Sequence, residues 1–186
     1  MTLPARSDNP KLVTRFSKRA LKLVESGRIP RMKSEPLPHQ TSPTFTWLTR
    51  VYYEDTDAGG IVFYANYLKF FERARTEWLR AGGVDQRQLS DNTGTVFVVR
   101  RTSVDYQAPA RLDDLLQIRS HIVRMGRASV EFEQHAWLGD KRLVSGTILV
   151  ACVDAATFRP TGLPDEVVAA LRQGDGTLAT LKGTNS

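Results

Sequence analysis

The sequence predicts an α+β domain in which one long helix is wrapped by a curled antiparallel sheet of about five strands. Three observations predict it. Residues 65–81 carry Tyr67, Phe70, Phe71, Ala74 and Trp78 at the i, i+3, i+4, i+7, i+11 spacing of one helix face, widened by Leu68 and Leu79. Beyond residue 94 the chain reads as successive β-type segments separated by turn residues. A helix with so broad an apolar face is best buried when consecutive hairpins curl around it, an arrangement called a hotdog fold.

The elements follow in order. Residues 1–43 hold six of the nine prolines, a composition that argues against a packed fold there. Within them Leu12, Val13, Phe16, Ala20, Leu23 and Val24 share one helical face, with Arg15, Lys18, Arg19 and Lys22 mostly elsewhere. A short basic amphipathic helix is one reading, through which alone the chain would touch an anionic membrane; a solvated extension is the other. Residues 44–53 (TFTWLTRVYY) are aromatic and β-branched and predict a strand. After the long helix, Gly82-Gly83 supply a terminator, leaving Glu72, Arg73, Arg75 and Glu77 for the rim.

A short helix is expected near residues 85–90. Strands are expected over residues 95–106, 115–124, 129–138 and 142–153. The start of the first, Val96-Phe97-Val98-Val99, suggests burial on both faces, and Gly139-Asp140-Lys141 suits a hairpin turn. A surface helix over residues 165–171 and a small polar tail over 173–186 complete the chain. The domain boundaries are therefore 1–43, 44–172 and 173–186.

At 186 residues, 41% hydrophobic and 25% charged, the chain suits a single soluble domain. No apolar run approaches the roughly 18 residues of a membrane span, and the N-terminus lacks a secretory signal, so a cytoplasmic location is expected. Of 26 Lys/Arg and 20 Asp/Glu, nine and three fall in residues 1–43. The body is thus neutral, which argues against nucleic-acid binding by the folded domain. The single cysteine, Cys152, lies in an apolar segment and reads as core packing. His39, His121 and His135 are scattered without HxxxH or HExxH spacing, so neither a metal site nor a bound cofactor is expected.

The chemistry concentrates in residues 51–80. Asp57 precedes Ala58-Gly59-Gly60, whose small or missing side chains let a substrate approach the backbone. A helix then begins near Tyr64, Ala65 and Asn66, and its first turn offers unpaired N–H groups at the positive end of the macrodipole. A carboxylate that activates water or attacks directly, with backbone donors for the oxyanion, is the minimum for hydrolysing an activated acyl group. Read from the residues alone, Asp57 serves equally as a turn residue, and Asn66 either caps the helix or orients Asp57.

The run YYEDTDAGGIVFYANYLKFFERARTEWLR (residues 52–80) resembles the signature of the 4-hydroxybenzoyl-CoA thioesterase-like hotdog family, in detail its Tol-Pal-associated acyl-CoA thioesterases. Residues 98–118 and 144–164 resemble the same family, and the likeness covers residues 45–171. The resemblance implies hydrolysis of acyl-CoA to free acid and CoA without metal or cofactor. It further implies a homodimer or homotetramer with sites at the subunit interface, linked to the Tol-Pal envelope system, with envelope proteins or an acyl carrier protein as further partners. The implied catalytic residues are Asp57, Tyr53 and Tyr64, the last through the helix-start N–H; Gly59, Gly60, Ala65 and Asn66 would meet the substrate. Many Tol-Pal-associated members carry histidine where this chain has Tyr64, and tyrosine is a poor base at neutral pH. The aromatic-acyl thioesterases of the superfamily resemble this chain in having tyrosine there. An acyl-CoA or acyl-carrier-protein binding module with little turnover is the alternative reading.

Overall fold

The computed structural model describes residues 44–173. The basic segment of residues 1–43 and residues 174–186 of the polar tail lie outside the described residues. The elements are β1 (Thr44–Arg50), α1 (Asn66–Ala81), α2 (Gln86–Thr93), β2 (Thr95–Tyr106), β3 (Leu115–Met125), β4 (Ser129–Leu138), β5 (Lys141–Asp154) and α3 (Asp165–Arg172). All five strands join one antiparallel sheet in the order β1-β3-β4-β5-β2, packed on α1 as the hotdog fold requires.

The apolar stripe of α1 drives this assembly. Tyr67, Phe70, Phe71, Ala74, Trp78 and Leu79 are buried on it. Phe45 of β1 stacks on Trp78 with ring centroids 5.7 Å apart, and Phe132 of β4 meets Trp78 edge-on at 6.1 Å. Truncating an aromatic anchor of this kind to alanine costs about 3–5 kcal/mol. Gly146 of β5 gives the helix room, because a Cβ there would stand 2.8 Å from the Phe71 ring. Leu68, expected on the same face, is instead 40% exposed at its edge.

Four other expectations change. The first strand ends at Arg50, and residues 53–55 form a 3-10 turn, because the Asp55 carboxylate accepts from the Tyr52 N–H at 2.9 Å and draws the chain back. The strands after residue 94 are not all sequential hairpins: β2 pairs with β5, so residues 107–114 cross from one edge of the sheet to β3. The Val96–Val99 run is not buried on both faces, since β2 is an edge strand; residues 96–98 are half-buried and Val99 is 53% exposed. A bulge at Arg100 breaks the alternation there. The last helix is more than a surface element, because Val167, Ala170 and Leu171 are buried and α3 packs on α1.

The helix expected at residues 85–90 runs from Gln86 to Thr93, entered through Asp85, whose carboxylate accepts from the N–H groups of Gln88 and Arg87. Those two bonds hold its pKa below the ordinary carboxylate value. Cys152 is fully buried as expected of a packing residue, and burial pushes its thiol up.

Candidate active site

Asp57 sits at the base of a tight turn. Its Oδ1 accepts from the Gly59 N–H at 2.8 Å, and its backbone carbonyl accepts from the Gly60 N–H at 3.0 Å. Gly60 has φ +71°, a region that glycine enters without steric cost. A Cβ on Gly59 would lie 3.0 Å from Asp57 Oδ1, so any side chain there would crowd the carboxylate. Asp57 is exposed, and Oδ2 has no hydrogen-bond partner among the described residues.

The turn is tied to the start of α1 by a chain of backbone bonds. Thr56 and Val62 form an antiparallel bridge, and Asp57 N–H donates to the Ile61 carbonyl at 2.9 Å. Phe63 N–H and the Asn66 side-chain amide both donate to the Asp55 carbonyl, each at 2.9 Å. Asn66 therefore neither caps the helix nor bonds Asp57. It is a buried brace between α1 and the segment that carries Asp57. The N-cap is Ala65, without a side-chain cap, and the N–H groups of Tyr64 and Ala65 find no acceptor among the described residues. They are the free donors that the first turn of a helix leaves.

A second clamp comes from the crossover after β2, to which the sequence assigned no site residue. Ala110 N–H donates to the Tyr67 hydroxyl at 3.0 Å, while Val62 N–H donates to the Ala110 carbonyl at 2.9 Å. Helix, turn and crossover are thus bonded through one buried alanine. Burial raises the Tyr67 pKa; the Ala110 N–H works against it, and the Asp114 charge adds to it. The Tyr106 hydroxyl donates to the Tyr64 carbonyl at 3.1 Å, and the two rings meet edge-on at 6.3 Å.

Together Ile61, Val62, Tyr64, Tyr67, Tyr106 and the 107–109 segment enclose a hollow of about 300 Å³ beside the turn. Tyr64 is 62% exposed and Tyr53 81%. The Tyr53 side chain makes no hydrogen bond among the described residues; its carbonyl accepts from Thr56 at 3.0 Å. The structure thus gathers Asp57, Gly59 and Gly60 in one turn and Tyr64, Ala65 and Asn66 at one helix start, and leaves Tyr53 on the rim. Tyr106 and Ala110 escaped the sequence reading because they reach the site only through tertiary contacts, and Tyr67 was read there only as part of the apolar stripe.

Away from this site, His121, Glu133 and His135 converge on the outer face of the sheet. Their ligand-type atoms lie within 4.8 Å of one another, and Glu133 bonds His121 at 3.0 Å and His135 at 3.1 Å. The absence of HxxxH spacing could not anticipate this group, because His121 faces Glu133 across the β3–β4 ladder. The two imidazoles already use the carboxylate's oxygens, so the cluster is complete as hydrogen bonds.

Known proteins show where this arrangement belongs. A profile of the thioesterase superfamily, 4HBT, matches residues 59–145. The acyl-CoA thioester hydrolase YbgC of Escherichia coli O6:H1 is 45% identical over 130 residues, 69% of this chain and 96% of that protein. The acyl-CoA thioesterase YbgC of Haemophilus influenzae is 44% identical over 126 residues, 68% of this chain and 93% of that one. The crystal structure of a probable thioesterase from Bartonella henselae, 35% identical, covers 65% of this chain and 99% of its own with a TM-score of 0.61. Among the described residues no helix is long and apolar enough to cross a membrane. With 45% and 44% identity to these hydrolases over two thirds of its length, the chain belongs to the 4HBT thioesterase superfamily and is a thioester hydrolase.

Proposed function

We propose that this thioester hydrolase acts on acyl-CoA, releasing a free carboxylic acid and CoA, with Asp57 as its acting carboxylate. The observation that carries the reading is the Asp57 turn: one carboxylate oxygen is held by Gly59 N–H, the other has no partner among the described residues, and backbone bonds tie the turn to the start of α1, where the Tyr64 and Ala65 N–H groups have no acceptor among the described residues. The YbgC relatives are named for the same substrate class. The free oxygen either takes a proton from a water that adds to the thioester carbon, or adds there itself to give a mixed anhydride that water then hydrolyses to the free acid and the regenerated carboxylate. In both routes the C–S bond breaks, CoA leaves as thiolate, and the carbonyl oxygen gains charge that the Tyr64 and Ala65 N–H groups would hold. Single turnover in ¹⁸O-water separates them, label on the Asp57 side chain marking direct attack.

The exposed aromatic rim of Tyr53, Tyr64 and Tyr106 favours a site completed by a second copy. The chain presents β2 as a 12-residue strand at the sheet edge, and a long unpaired edge is a natural place for two sheets to join. We therefore favour a homodimer joined along β2, with each site at the interface. An association with the Tol-Pal envelope system rests on the resemblance of residues 52–80 alone; co-purification of the full chain with envelope components would test it.

Thiol release from short, long and aromatic acyl-CoAs tests the activity. Asp57→Asn should lower kcat by about 10²–10⁴-fold, the range for removing an acid–base group. An unchanged rate would remove Asp57 from the mechanism, and tight acyl-CoA binding without thiol release by the wild type would favour a binding module.

A further inference from the structure

A second concavity lies farther along α1, between that helix, α3 and the β2, β4 and β5 strands. Its volume is about 120 Å³, and its apolar walls include Val130, Phe132, Val150 and Val167. A cavity of about 150 Å³ with such a lining holds a benzene ring. Asp57 is not part of its wall. Arg75, which enters it, stands nine residues beyond Asn66, about 14 Å along the axis at 1.5 Å per residue.

Arg75 is the unusual member. The rim position expected from helical spacing is wrong for its charged end, which turns inward over the Phe132 ring at 5.9 Å. Burial pulls its pKa down to about 10, with the Glu72 charge opposing the fall, so it remains a cation at neutral pH. Of its five N–H donors, one bond is recorded, from Nη1 to Gln134 Oε1 at 2.6 Å. No carboxylate lies within 4.0 Å of it among the described residues. Gln134 offers it only Oε1, because the amide nitrogen of that side chain donates to Ser120 Oγ at 2.8 Å and to the Phe71 carbonyl at 3.0 Å. A largely buried guanidinium with no carboxylate bonded to it is costly, and its planar fork matches a carboxylate.

We propose that this cavity binds a small apolar carboxylic acid as its anion, with the carboxylate on the Arg75 guanidinium and the hydrocarbon among Val130, Phe132 and Val150. A short aliphatic or single-ring acid matches the volume, and such acids are the class that thioester hydrolysis releases. The site stands apart from the Asp57 turn, and its occupancy does not depend on the hydrolytic reading. Glu72, the one acid in the wall, is turned toward Thr76, whose hydroxyl donates to it at 2.9 Å. Its charge weakens the attraction without blocking the fork.

The test is binding of hexanoate and of benzoate to the full chain, followed by amide resonances. Saturable binding should shift residues around Val130, Phe132 and Val150, and hexanamide, which lacks the charge, should bind at least about tenfold more weakly, as loss of a charge-assisted pair requires. Arg75→Met should abolish the carboxylate preference. Glu72→Gln, on the exposed rim, should tighten hexanoate and leave hexanamide unchanged; it keeps the test decisive if Arg75→Met fails to fold. Shifts confined to residues 57–66, equal affinity for acid and amide, no binding, or an unaltered affinity in Glu72→Gln would each overturn the proposal.

Discussion

Asp57 Oδ1 accepts from the Gly59 nitrogen at 2.8 Å, and a Cβ on Gly59 would press within 3.0 Å of that same oxygen. Orientation of the acid and the absence of a Cβ are therefore one feature. Gly59→Ala is expected to keep the melting temperature nearly unchanged, since the turn is exposed, and to lower kcat by about tenfold or more through misplacement of the acid. Thermal unfolding and thiol release on the same preparation read the two effects. A full-rate Gly59→Ala enzyme would show that Asp57 needs no fixed orientation.

Tyr64 is 62% exposed, and neither its hydroxyl nor its N–H makes a hydrogen bond among the described residues. If the backbone carries the function, Tyr64→Phe should turn over within about twofold of wild type, the size of effect left when no hydrogen bond is lost. A loss of a hundredfold would instead assign chemistry to the phenol.

Val99 is 53% exposed on the unpaired edge of β2. An arginine there would set two like charges close together across a β2–β2 contact, which such ladders do not tolerate. Val99→Arg should shift the light-scattering mass from dimer to monomer and reduce turnover with it. Retention of the wild-type mass would place the subunit contact elsewhere.

The cluster on the outer face makes stability depend on acid. Burial lowers the His135 pKa from its ordinary 6.5; the Glu133 charge opposes this, and the charges of His121 and Arg142 assist it. Burial pushes the Glu133 carboxyl up, but bonding and charge from His121 and His135 outweigh this and leave it below its ordinary 4.5. Both folded-state values are depressed, so the unfolded chain binds protons first and stability is lost on acidification. The His135 contribution, complete above pH 6.5, should decline below it, and the Glu133 contribution should decline below pH 4.5. Urea unfolding between pH 8 and pH 4 measures this; His135→Gln should flatten the segment just below pH 6.5, and an unaltered profile would assign that segment to other groups.

Local pattern carried a large part of this structure. The buried stripe of α1 follows directly from the spacing of Tyr67, Phe70, Phe71, Ala74 and Trp78, and the bounds of β2 and β4 coincide with the segments of β-type composition. The Asp57-Gly59-Gly60 turn was equally legible, because a turn's geometry depends on residues two or three apart. Pairing between distant segments was not. That β2 joins β5, and so becomes an edge, depends on a choice among strands whose alternation is alike.

The sequence by itself determined the helix, the acid-bearing turn and the kind of sheet, since each depends on neighbours along the chain. Only tertiary structure decided what meets them. Ala110 locks the turn to Tyr67 across 43 positions, Asn66 braces the helix against the Asp55 carbonyl, and Arg75 turns inward to Gln134 across 59. Such contacts are selected by the burial of the whole core and the satisfaction of its polar groups, which local spacing does not encode.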